Sequence, residues 1–247
     1  MKKENIVQWL LLIIFALLSI VYFELPVVLP LIDKIYITIT TFFFSIFTGF
    51  FVSQQMSRYS KIREAVSNFD GKMSSIYRSA GNINHDIQKE IGNIIKEHYK
   101  SLMNTRKWEY HFTHKSNTIS SIHAILESKI GDTKLEPLRL HSLSKIINNL
   151  SDCEVGRKSM VMLYQERIPR FQWSIIVFFI TILILTVSAI PSQDLALESI
   201  LKSAFAVSIL SVASILYRLD QVHLFESFIG EHSAKDVLDL IEGKEKM

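Results

Sequence analysis

The chain has a single cysteine, Cys153, which cannot close an internal disulfide. That excludes a secreted disulfide scaffold and a thiolate metal cluster. There is no Gly-rich phosphate loop, no cysteine pair and no HExxH. No acid, base, nucleophile or metal constellation emerges, so the expectation is a protein that is not an enzyme and needs no cofactor. Strand-like alternation bounded by turns is also missing. Four apolar blocks carry no ionisable side chain at mid-depth; Lys202 sits near an end of its block. Charges inside lipid are too costly to keep without use, so their absence argues against a pump or proton-coupled carrier. A channel remains, or a membrane protein that scaffolds or signals through its soluble part.

What is present is segregated. Hydrophobic residues make up 49% of the chain and charged residues 21%, with the first in four blocks and the second in one long middle section. This is the composition of an integral membrane protein with a soluble part. The expected fold class is all-α: four transmembrane helices, multi-pass, plus a cytoplasmic helical bundle. Residues 6–23 form the first span. Trp9 and Tyr22 lie near its two ends, where amphipathic rings prefer the interface. No small-residue cleavage pattern follows, so an anchor is expected rather than a cleaved leader. Pro26 and Pro30 break the link that follows. Ile35 to Val52 is uncharged and long enough to cross a hydrocarbon core of roughly 30 Å. Neither Pro nor Gly interrupts the polar stretch from Ser53 to Arg63, so one helix is expected to leave the membrane and continue into water. Residues 172–190, closed by Pro191, and 200–217 are the third and fourth spans. Ser203, Ser208, Ser211 and Ser214, with Ala204, Ala206 and Ala213, permit close helix packing in the last.

The expected organisation is a first helix pair over 1–55, a cytoplasmic section over 56–171, a second pair over 172–217 and a tail over 218–247. Within 56–171 there are 19 Lys and Arg against 12 Asp and Glu, a net +7. The loops at 24–34 and 191–199 are almost free of Lys and Arg. By the positive-inside rule both termini and the middle section face the cytoplasm of a cell (inner) membrane. The middle charges are spread rather than clustered, which favours a solvated face over nucleic-acid binding. Helical seams appear at Ile62, Val66, Phe69, Met73 and Ile76, at Ile87, Ile91, Ile94 and Ile95, and at Trp108, Phe112, Ile119, Ile122 and Ile125. A fourth runs through Leu140, Leu143, Ile146, Ile147 and Leu150. Gly81 and Gly131-Asp132 mark breaks. His98, His111 and His114 lie near one another. No Cys or carboxylate accompanies them at ligand spacing, so they are read as solvated or interhelical histidines and no metal is expected.

The second helix carries two stripes. At about 100° per residue, Thr38, Thr41, Ser45 and Thr48 cluster on one face. Phe42, Ile46 and Phe50 form another, roughly 120° away. Chemistry alone aims the hydroxyls at a pore or a neighbouring helix. Lipid contact is the ordinary job of Phe in a span.

The segment FSIFTGFFVSQQMSRYSKIREA resembles the second membrane helix of the bestrophin channels. The shared features are Gly49-Phe50, preceded by large apolar residues at four-residue steps, and Arg58-Tyr59, where that family has Arg-Trp. RIPRFQWSIIVFFITILILTVSAIP is similar to the family's entry into its third span, and the layout of spans and cytoplasmic parts also matches. Short bacterial and archaeal bestrophin-like proteins resemble the chain more narrowly, through their TGF…SR…REA run. The resemblance implies a homopentamer in the lipid bilayer with a central pore for permeant ions; the net-positive cytoplasmic section favours anions in the vestibule. It implies a hydrophobic neck at Phe42, Ile46 and Phe50, with Thr38, Thr41, Ser45, Thr48 and Gly49 packing against adjacent helices. Animal members bind calcium through an acidic run after the last span. Here Asp220, Glu226, Glu231 and Asp236 are scattered, so calcium gating is not implied. Phe228-Ile229-Gly230 stands where the family has Pro-Phe-Gly. The alternative is a non-conducting scaffold or signalling protein working through its cytoplasmic section.

Overall fold

Long apolar runs without breakers, and amphipathic seams between them, leave the backbone little choice but helix. The structure, a computed structural model, describes residues 3–24, 34–105, 117–130, 136–190, 195–222 and 231–244. Among them are eight helices and no strand. They are α1 (Lys3–Glu24), α2 (Lys34–Gly81), α3 (His85–Thr105), α4 (Thr118–Ile130), α5 (Pro137–Gln165), α6 (Arg170–Ser188), α7 (Leu195–Asp220) and α8 (Glu231–Ile241). Pro26, Pro30, Trp108, His111, Phe112, His114, Gly131-Asp132, Pro191, Glu226 and Phe228-Ile229-Gly230 lie outside the described residues.

The expected continuous second helix is there. α2 runs unbroken for 48 residues, about 72 Å. Among the described residues three helices are long and apolar enough to cross a membrane: α2 over Ile35–Gly81, α6 over Arg170–Ser188 and α7 over Ala196–Asp220. Leu12–Glu24 of α1 counts as a shorter apolar helix. The whole of α1 is 22 residues, about 33 Å.

The chain divides into two compact units, Met1–Met56 with Arg167–Leu224, and Ser57–Glu166 with Phe225–Met247. In the first, α1 lies along α7, and α6 packs on α7. The α2 side chains Phe44 and Phe51 close two small cores, one with Leu183 and Ile209, the other with Ile168, Ile176 and Leu216. Hydroxyls in these apolar surroundings satisfy themselves by bonding back one turn. Ser203 donates to the Ser199 carbonyl at 2.7 Å, Ser211 to Val207 at 2.7 Å and Thr186 to Ile182 at 2.6 Å. The Tyr22 and Ser188 hydroxyls meet at 2.9 Å and tie α1 to α6.

In the second unit α3 packs on α4 and α8, and α4 on α5. The α2 seam is buried as expected at Ile62, Val66, Phe69, Met73 and Ile76, and the α3 seam at Ile87, Ile91 and Ile95. Ile119 and Ile122 of α4 are buried too. Asn84 starts α3 by accepting the Asp86 N–H on its side chain at 2.9 Å. Gly92 lets α3 approach α2 closely, since a Cβ there would come within 2.8 Å of the Tyr77 ring. The fourth seam needs correction. Ile146 and Leu150 are buried, but Leu140 and Ile147 are exposed. The helix instead turns Ser142, Cys153 and Met160 inward with them, positions that share a face at about 100° per residue.

Candidate functional site

The candidate site is the outward face of α2 within the first unit, and its placement follows from what holds the opposite face. Phe44, Thr48, Phe51 and Gln55 are buried. Phe179 of α6 stacks on Phe47 at 5.5 Å between centroids and on Phe43 at 6.3 Å. These contacts fix the rotation of the helix. Phe42, Ile46 and Phe50 then lie roughly opposite the buried face. They are 61%, 51% and 62% exposed among the described residues, large apolar side chains one turn apart.

The hydroxyl stripe is divided. Thr48 is buried, Thr41 is half-buried, and Thr38 and Ser45 are exposed. The Thr48 hydroxyl has no hydrogen-bond partner among the described residues. Gly49 is exposed, and a Cβ there would meet nothing within 4 Å, so no contact inside the chain demands a glycine.

Among the described residues each unit holds one buried cation, Arg58 or Lys202, and sequence reading assigned neither its role. Arg58, in the second unit, is 4% exposed. Its Nε donates to the Leu163 carbonyl at 2.6 Å and its Nη2 to the Tyr164 carbonyl at 2.8 Å. These carbonyls belong to the last turn of α5, where helix geometry leaves acceptors unpaired and a cation is favoured. The Arg-aromatic pair of the resemblance is therefore a structural clamp at its arginine. In the first unit Lys202 is buried, pairs with Glu198 one turn earlier, and donates to the Ser188 carbonyl at the end of α6 at 2.7 Å. The i,i+4 spacing of Glu198 and Lys202 was visible in the sequence; the α6 carbonyl that completes the set was not.

Of the scattered acids, Asp220 is buried and accepts the Ile168 backbone N–H at 2.7 Å, so it anchors the entry to α6. His98 is interhelical: its Nδ1 meets the Thr118 hydroxyl of α4 at 3.0 Å, and its ring lies 6.1 Å from Phe69. Among the described residues no three His, Cys, Asp or Glu side chains converge as metal ligands.

The Bestrophin-like domain matches residues 24–236, most of the chain. The chain belongs to the bestrophin-like family. Its all-α membrane fold is the family's, as the sequence resemblance led us to expect. Two solved structures, each described as the crystal structure of a membrane protein, are similar in fold. One aligns with a TM-score of 0.71 at 14% identity, covering 94% of this bestrophin-like chain and 97% of the other. The second gives 0.61 at 15% identity, covering 98% and 99%. No curated protein matches.

Proposed function

We propose that the protein is a pentameric, anion-conducting channel whose narrowest point is a ring of Phe42, Ile46 and Phe50. The observation that carries this reading is the exposure of those three side chains on the helix whose opposite face α6 and α7 occupy. Membership of a channel family supports it. Five copies of the stripe make an apolar constriction about 12 Å long, which can gate by dewetting. Thr38, Ser45 and Gly49, exposed within one chain, then face the α2 helices of neighbouring copies, where small side chains permit close approach. The spans number four, α1 included, with the net +7 section concentrating anions at the cytoplasmic mouth.

Ion-loaded liposomes test the proposal. The purified protein should run in detergent with the mass of five copies and should release anions faster than cations. Replacing Phe42, Ile46 and Phe50 together with Ala should raise the flux several-fold without changing the mass. A monomer or dimer removes the pore. Flux that responds to Thr41 and Ser45 substitutions but not to the triple change places the hydroxyl face, not the apolar one, along the pore.

A further inference from the structure

The second unit holds an acid that the channel reading does not use. Asp70 of α2 is 2% exposed. Its Oδ1 accepts the hydroxyl of Tyr99 of α3 at 2.5 Å, and Tyr99 itself is completely buried. Its Oδ2 is buried and meets no donor in hydrogen-bond geometry among the described residues. Ser233 of α8 approaches the carboxyl and, like Tyr99, favours its charged form. Burial outweighs both and pushes Asp70 up to about 6.

The remaining groups around it do not neutralise the charge. Lys72, two residues on, turns instead to Asp152 of α5. Cys153 of α5 is a thiol pushed up to about 12, chiefly by burial. His98 of α3 is held down to about 4 by burial and is neutral wherever Asp70 titrates. From α8 the uncharged Ser233 approaches, while His232, Lys235 and Asp236 are exposed. Lys129 of α4 is engaged at the surface with Glu90.

We propose that Asp70, Tyr99 and Ser233 form a proton-controlled latch, through which ambient pH sets how firmly α8 is held on the bundle. The protonated carboxyl is a neutral group that can accept from Tyr99 and donate to the Ser233 hydroxyl. The ionised carboxylate needs water, and the cheapest way to admit it is to lift the shortest helix of the bundle. α8 has 11 residues, packs on α3, and inserts Ala234 and Val237. The helices α2, α3 and α5 are far longer and share several buried seams. The surface pair between Lys96 and Glu242, 2.7 Å, tethers the far end of α8, and hydrogen bonds from Lys244 and Lys96 hold the Glu242 carboxyl down to about 2, below that range.

The sign follows from linkage. If Asp70 recovers an ordinary carboxylate pKa when α8 lifts, lifting becomes easier as pH rises through the value that burial imposes. Between pH about 5 and about 7.5 the opening equilibrium should grow on the order of tenfold. Hydrogen exchange on the full chain in detergent, corrected for the intrinsic pH dependence of exchange, measures it. Amides of α8 should exchange about tenfold faster at the higher pH, while those of the α2 seam barely change. Asp70→Asn should abolish the difference. Tyr99→Phe removes a hydrogen bond that lowers the acid's pKa and should move the transition to higher pH. Exchange of α8 that is independent of pH in the wild type overturns the latch. So does a dependence that survives in Asp70→Asn, or a midpoint that Tyr99→Phe leaves in place.

Discussion

Arg58 and Asp70 are three turns apart on α2 and illustrate two ways to bury a charge. Arg58 finds two carbonyls at the end of a helix, which is a place built for a cation. Truncating it leaves those acceptors unpaired, at about 1–3 kcal/mol each. Arg58→Ala should therefore lower the thermal midpoint in detergent by several degrees. Arg58→Lys should recover part of the loss, since an ammonium cannot fork across both carbonyls as a guanidinium does. Equal midpoints for wild type and Arg58→Ala would show that the clamp is idle. Asp70 is less well provided for, and its effect on stability runs opposite to that of His98. With its folded pKa raised from 3.8 to about 6, Asp70 makes the fold lose stability as pH rises through that window. With its folded pKa lowered from 6.5 to about 4, His98 makes the fold gain stability as pH rises through nearly the same window. Each is worth up to about 3 kcal/mol, at about 1.4 kcal/mol per pKa unit. The two trends largely cancel in the wild type. Asp70→Asn should uncover a denaturation midpoint that climbs from pH about 4 to about 6.5, and His98→Gln should uncover one that falls. Parallel slopes in the two variants would contradict both assignments.

At the scale of elements, α2 and α3 were legible in the sequence because each has one apolar seam and polar residues elsewhere. Ile62 to Ile76 and Ile87 to Ile95 are buried where periodicity puts them. The rotation of α5 was not legible, because that helix is apolar on two sides. Leu140, Ile147, Val155 and Met162 are exposed, while Ser142 and Cys153 go inward, and hydropathy alone cannot rank two such faces. The arrangement of phenylalanines on α2 had the same difficulty. Six of them lie between Phe42 and Phe51, and side chains of α6 and α7, more than a hundred residues away, decide which turn inward. Long-range partners also explain why the Lys202 and Asp70 sites were missed: each is completed by a group on another helix. The aromatic stacking makes a prediction. Phe47 is half-buried, so Phe47→Ala, which removes a stacking partner of Phe179, should destabilise the protein by about 1–3 kcal/mol, less than loss of a fully buried Phe. Under the channel reading it should change ion flux much less than the triple replacement at Phe42, Ile46 and Phe50. A Phe47→Ala protein of wild-type stability but raised flux would put the wrong face of the helix toward the ions.

At the scale of the whole molecule, the chain's one cysteine makes orientation measurable. Thiol reagents attack the thiolate. Cys153 is buried, and its thiol is pushed up to about 12 by desolvation, against the opposing pull of Lys72. The native protein should thus be nearly silent to a membrane-impermeant maleimide near neutral pH, whichever side the reagent is on. New cysteines can be read on that quiet background without removing the native one. The Lys and Arg distribution predicts that Val28→Cys and Gln193→Cys, in the two short loops, label from outside intact cells. Ser151 is exposed on α5, so Ser151→Cys should label fast, but only after the membrane is opened. Labelling of Ser151→Cys in intact cells would invert the topology and carry the basic section to the outer face. Val28→Cys and Gln193→Cys labelling on opposite sides would mean that the chain crosses an odd number of times between them. One of α2 and α6 would then have to lie outside the membrane despite its apolar length. Both loops outside and Ser151→Cys inside is the one pattern that leaves α2 and α6 spanning, with a cytoplasmic section between them.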